Sequence, residues 1–173
     1  MITIPAGSGS FSTVRYTGPF DWDKIQSYIF KEFSDWDVAE KVHKHKKSGV
    51  GIEKEIEWEF TIKATDLLLY KVGMSFHVWD WVQKEVVVDG KKRKMDYGRV
   101  EFKMNWSIQA DWQGKYTQGI AAKLFNFYIY HLKKKDLIVT VADPFKYRML
   151  HVQEQIKKLL GQTGYNPEGF KSE

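Results

Sequence analysis

Residues 52–64 read IEKEIEWEFTIKA and residues 99–111 read RVEFKMNWSIQAD, and these two runs decide the fold. In the first, Ile52, Ile56, Trp58, Phe60 and Ile62 fall on one side, while Glu53, Glu55, Glu57, Glu59, Thr61 and Lys63 fall on the other. In the second, Val100, Phe102, Met104, Trp106, Ile108 and Ala110 alternate with Arg99, Glu101, Lys103, Asn105, Ser107, Gln109 and Asp111. Successive side chains of a strand point to opposite faces, so each run predicts a strand with one buried and one wet face. Antiparallel sheets carry that pattern, because one face packs on a core while the other meets water.

Between these runs, Leu68, Tyr70, Val72, Met74, Phe76 and Val78 predict a further strand, whose opposite face (Leu67, Leu69, Trp79, Trp81) is less polar than usual. Val82–Val88 predicts another. Asp89-Gly90 is a two-residue hairpin signal, since both turn positions need positive φ, and Lys91–Met95 is the expected return strand. Upstream, Phe11–Thr17 has strand composition and Gly18-Pro19 ends it. Residues 1–10, with Pro5, Gly7 and Gly9, are expected to form a flexible arm.

Helical spacing occupies the rest. Asp21 is a helix cap before Ile25, Tyr28, Ile29 and Phe33. Ser34 and Asp37 resemble a capping box for a second helix through Trp36, Ala39 and Val42, ending at Lys44-His45-Lys46-Lys47 before Gly49. Ile120, Leu124, Phe127, Tyr128 and His131 predict a helix that stops at Lys133-Lys134-Lys135. Leu137–Val141 has strand composition and is short enough to be a buried connector. Asp143-Pro144 starts a last helix, with Phe145, Met149, Val152, Ile156 and Leu159 spaced by four and three before Gly161. Residues 162–173 are a polar tail, leaving a single domain over 11–161.

The composition bounds the function. The 173 residues are 43% hydrophobic and contain no cysteine, so disulfides, thiolate zinc sites and thiol nucleophiles are excluded together. No apolar run reaches the roughly 20 residues of a membrane span, and residues 1–10 lack the basic and apolar regions of a secretory signal. A cytoplasmic protein is expected. The formal charge of +5 is compatible with a nucleic-acid partner. Aromatic residues make up 16% of the chain, seven of them Trp, which suits a wide cavity or a thick sheet–helix interface.

The element order predicts an α+β fold: a curved antiparallel β-sheet of about five to six strands, two N-terminal helices and a long C-terminal amphipathic helix on the apolar face. That order resembles the helix-grip fold of START-like and polyketide-cyclase-like proteins, and the resemblance implies an apolar ligand held between sheet and last helix. The segments EKEIEWEFTIKATDLLLYKV (Glu53–Val72), VVVDGKKRKMDYGRVEF (Val86–Phe102) and MLHVQEQIKKLLG (Met149–Gly161) resemble an uncharacterised family of small archaeal proteins with no assigned activity. That family implies no site residues.

Three functional readings stay open. In the first, a small apolar molecule sits in a cavity lined by Trp58, Phe60, Tyr70, Phe76, Phe102, Trp106, Met149, Val152 and Ile156, residues that serve equally as ordinary core. In the second, the chain docks on a ribosome, RNA or another nucleic-acid assembly through Lys44, Lys46 and Lys47, through Lys91, Lys92, Arg93 and Lys94, and through Lys133, Lys134 and Lys135. The glutamate row Glu53–Glu59 would repel a phosphate backbone and is expected to pair with lysines such as Lys63, Lys71 or Lys103. In the third, the protein self-assembles through a Trp79/Trp81 surface. The sequence holds no HExxH pair, no GxSxG turn and no strand–loop–helix phosphate motif, so no metal or cofactor site and no catalytic residue is assigned, while a cavity enzyme using isolated Tyr, Asp or His groups stays open because such sites leave no linear motif.

Overall fold

The computed structural model describes residues 2–10, 13–49, 51–88, 91–116 and 118–161. Its elements run β1 (Ile2–Ser10), β2 (Val14–Phe20), α1 (Trp22–Glu32), β3 (Asp37–Ser48), β4 (Gly51–Lys63), β5 (Leu68–Val88), β6 (Lys91–Ala110), α2 (Gly119–Phe127), α3 (Lys134–Leu137) and α4 (Asp143–Leu159). Two π-helical turns, Tyr128–Leu132 and Ile138–Ala142, join the last three helices. The fold is α+β, with a six-stranded antiparallel sheet in the order β1-β6-β5-β4-β3. β2 also pairs with β6: it covers residues 96–102 while β1 covers 105–110, so the two follow one another along a single edge.

The alternation quoted above sets the register. Phe76 lies opposite both Ile56 and Phe102, and Met74 opposite both Trp58 and Met104, which stacks the even-numbered residues of β4, β5 and β6 on one face. α1 and α4 cover that face. Trp22, Ile25, Ile29 and Phe33 of the first and Phe145, Met149, Val152, Ile156 and Leu160 of the second are buried in the same cluster as the sheet residues. Burial of each such side chain is worth about 1.5–3 kcal/mol, so this interface dominates stability. The odd-numbered face is mainly charged and polar, carrying Glu53, Glu55, Glu57, Glu59, Lys71, His77, Glu101 and Lys103.

Five expectations change. Residues 2–10 form a strand rather than a free arm, because the edge of β6 offers unpaired backbone groups to residues 105–110. The expected second helix over residues 34–47 is instead β3. Its Ala39 and Val42 spacing suits a helix, yet pairing with β4 satisfies the backbone and sets lysines against the glutamate row. Lys44 Nζ lies 3.0 Å from Glu55 and Lys41 Nζ 3.2 Å from Glu59, so β3 supplies the cations expected from Lys63, Lys71 or Lys103; Lys103 pairs with Glu101 instead. The separate strands expected over 68–78 and 82–88, and over 91–95 and 99–111, are continuous as β5 and β6. Residues 137–141 are helical, continuing the path from α3 into α4. The hairpin at Asp89-Gly90 and the tail 162–173 lie outside the described residues.

The hydrogen bond from Lys44 holds the Glu55 carboxyl below the ordinary glutamate range. A depressed carboxyl stabilises the fold above its unfolded pKa and loses that contribution as pH falls through the folded value. In Lys44→Ala, Glu55 is expected to titrate upward toward an ordinary glutamate. A carboxyl titration by NMR checks this, and an unmoved Glu55 would contradict it.

Candidate ligand cleft

The site forms where the turn between β3 and β4, a bulge in β5 and the first turn of α1 meet. Asp21 accepts a hydrogen bond from the Lys24 backbone N–H (3.1 Å) and fixes the start of α1. This places Trp22 at the first helical position, over the sheet. Its indole stacks on Trp58 at 6.0 Å and meets Phe76 and Trp81 edge-on at 5.2 and 5.4 Å.

The bulge supplies the second indole. Register slips between Trp79 and Val82, and Asp80 takes a positive φ of 54°. One extra residue on a strand reverses the side-chain alternation beyond it. Trp81 therefore turns onto the core face and is 7% exposed, while Trp79 stays on the outer face, stacked on His77 at 3.8 Å. The expected shared Trp79/Trp81 surface does not exist. Two glycines allow the close packing around the bulge: a Cβ on Gly51 would stand 2.8 Å from the Asp80 carbonyl carbon, and one on Gly98 2.9 Å from the Trp79 oxygen.

Asp96, on β6, ties the two tryptophans together. The Trp81 indole N–H donates to one carboxylate oxygen (2.8 Å) and the Trp22 backbone N–H to the other (3.3 Å). Lys54 holds its ammonium 3.8 Å from the centre of the Trp81 ring. Beside these groups opens a cleft of about 900 Å³, walled on its apolar side by Trp22, Ile52, Trp81 and Val82 and on its polar side by Lys47, Lys54, Asp23 and Gln83. That is within the range of small-molecule sites, roughly 300–1,000 Å³. Neither Lys47 nor Lys54 forms an ion pair among the described residues. Asp23 sits in the first turn of α1, where the positive end of the helix offsets its charge.

The nine residues expected to line an interior cavity are brought together, and they fill the core. Phe60, Phe76, Phe102, Met149, Val152 and Ile156 are fully buried, Trp58 and Trp106 nearly so, and Tyr70 packs against them. The rings touch one another, Phe76 on Phe102 at 4.6 Å and Tyr70 on Phe145 at 4.8 Å. Two of the three basic runs share one end of the sheet and the third lies away from them. Lys44, Lys46 and Lys47 flank the β3–β4 turn, and β5–β6 extends past that same end to carry Lys91, Lys92, Arg93 and the exposed Lys94. Lys133, Lys134 and Lys135 belong to the helical segment packed by β1 and Leu67, at the opposite end of the sheet. Trp22, Lys54 and Asp96 were missed as site residues. The available signal was the Trp79-Asp80-Trp81 triplet, which breaks the alternation of β5 where the bulge falls.

The outer face has a second, smaller trough of about 500 Å³, bordered by Glu57, Ser75, His77, Lys103 and Asn105. Lys41 pairs with Glu59 at 3.2 Å and Lys103 with Glu101 inside it, while His77 and Glu101 also meet Glu53 and Arg15 beside it, at 2.7 and 2.9 Å. No group of three or more His, Asp or Glu suited to a metal occurs among the described residues. No protein-family model matches the chain, and no curated protein matches it significantly.

Proposed function

We propose that this is a binding protein for a small amphiphilic anion, seated in the cleft between Trp22, Trp81 and Lys54. The observation that carries the reading is a pair of lysines with no ion pair among the described residues, beside two indole walls in a cleft of ligand size. The flat apolar body of the ligand lies against Trp22, Ile52 and Val82. Its anionic group meets Lys54, drawn from over the Trp81 ring, and Lys47. Asp96 also lines the cleft, with its oxygens hydrogen-bonded to the Trp81 and Trp22 N–H groups.

This reading replaces the apolar ligand expected from the helix-grip resemblance with an amphiphilic anion and moves the site from the sheet–helix interior to the end of the sheet. The nucleic-acid reading has less to stand on, since the three basic runs do not form one surface.

Anilinonaphthalene sulfonate, an aromatic anion, is a direct probe. It is expected to bind with one-to-one stoichiometry and to quench tryptophan fluorescence. Lys54→Glu is expected to weaken binding by about tenfold or more, the scale of a lost charge-assisted hydrogen bond. Glu substitution of Lys134, at the far end of the sheet, should leave affinity unchanged. Equal affinity in wild type and Lys54→Glu would reject the cleft as the site.

A further inference from the structure

The helical segment after the sheet presents an apolar stripe that no other described element covers. Its inner side is anchored: Ile129 is buried, and Phe125 packs against the core and stacks on Tyr116 at 4.8 Å. On the outer side, Ile120, Leu124, Phe127 and Leu132 are 76, 64, 54 and 64% exposed, with Tyr128 beside them. Their spacing of four, three and five residues puts them along one flank of α2 and the π-helical turn that follows. Leu124 and Tyr128 also border an apolar hollow of about 430 Å³ with Leu67 and Tyr116. Contiguous exposed apolar groups of this extent mark an interaction surface.

Charge identifies the occupant. Residues 112–135 contain five lysines, Lys115, Lys123, Lys133, Lys134 and Lys135, and no aspartate or glutamate. Lys133 pairs with Asp136 at 2.9 Å, whereas Lys123, Lys134 and Lys135 form no ion pair among the described residues. A second copy of this chain docking by the same patch would bring like charges together across a two-fold axis. An anionic surface that also accepts apolar side chains fits both properties.

We infer that this stripe docks on an anionic lipid surface. Ile120, Leu124, Phe127 and Leu132 enter the boundary between headgroups and acyl chains, the tyrosines lie at headgroup level, and the lysines meet lipid phosphates and carboxylates. Among the described residues no helix is long and apolar enough to cross a membrane, so the contact is with one leaflet. The inference is independent of the cleft, which lies at the other end of the sheet.

The test is co-sedimentation of the full chain with phosphatidylcholine vesicles, with and without about one-third phosphatidylserine, at low and high salt. Binding is expected only to the phosphatidylserine vesicles and should weaken with salt. Lys134→Glu with Lys135→Glu should cost about fivefold in partitioning per lysine lost, and more for the reversal. Leu124→Glu with Phe127→Glu should abolish binding while leaving the melting temperature unchanged, because those side chains are exposed in the folded chain. Failure to bind either vesicle, or equal binding to both, would overturn the inference. So would a wild-type dimer that the Leu124→Glu, Phe127→Glu variant turns into a monomer, or binding to polyglutamate in place of vesicles.

Discussion

Phe76→Ala is expected to lower the unfolding free energy by about 3–5 kcal/mol, the range for deleting a buried aromatic ring. In a domain of this size that corresponds to a fall of about 10 °C in melting temperature. The position is central: Phe76 has no exposed surface, stacks on Phe102 at 4.6 Å, and is met edge-on by Trp22 at 5.2 Å and Trp58 at 5.9 Å. These neighbours belong to α1, β4 and β6, so no single element can shift to close the hole. Trp22 also walls the cleft, and probe affinity should fall together with stability. Phe76→Leu, which keeps most of the volume, should cost less than half as much. Chemical denaturation of the two variants decides the matter. A loss below about 1 kcal/mol in Phe76→Ala would mean that the aromatic layer under α1 is loosely packed, contrary to the ring contacts described.

The burial of Phe76 was legible in the sequence, because strict alternation in the runs around it puts every even-numbered ring on one face and excludes a one-residue slip. The covering helices were legible for the same kind of reason: Phe145, Met149, Val152 and Ile156 recur with the period of a single buried stripe. What escaped was settled by long-range pairing. Residues 37–48 have acceptable helical spacing, and only the glutamate row on β4 makes them a strand. The edge that claims residues 2–10 belongs to β6, a hundred residues away. In the helix at 119–127, periodicity found the apolar stripe through Ile120, Leu124 and Phe127 but not its direction. The core takes Phe125 and Ile129 instead, and the regular stripe faces outward.

The cleft was hidden for a further reason: none of its parts carries a linear motif. Trp22, Lys54, Trp81 and Asp96 come from four elements, and the alternation rule places Trp81 on the wrong face unless the bulge at Asp80 is known. A one-residue irregularity thus moves an indole from the outer surface into the wall of the cleft. The same irregularity leaves an indole N–H inside the protein, which needs an acceptor, and Asp96 provides it.

That dependence gives the second large effect. Asp96→Ala strands both the Trp81 indole N–H and the Trp22 backbone N–H, and hydrogen bonds to a carboxylate contribute about 1.5–3 kcal/mol each. The combined loss is expected to be about 3 kcal/mol, since the longer bond from Trp22 at 3.3 Å contributes less than the 2.8 Å bond from Trp81. Asp96→Asn should be intermediate, because its single carbonyl oxygen can serve one donor while its amide opposes the other. Trp81→Phe separates the indole bond from the packing. It keeps an aromatic ring against Trp22 and Phe20 but has no N–H to satisfy. In a double-mutant cycle, Asp96→Ala should therefore cost at least 1 kcal/mol less in the Trp81→Phe background than in wild type. Additive costs would show that Asp96 acts on α1 alone. Both single variants should also weaken the anionic probe, but by different routes: Asp96→Ala by releasing the indole wall, and Trp81→Phe by removing the ring over which Lys54 is held. Only Asp96→Ala should change the near-ultraviolet dichroism of Trp22 together with that of Trp81. Unchanged indole signals in Asp96→Ala would mean that the bulge holds Trp81 in place without its carboxylate.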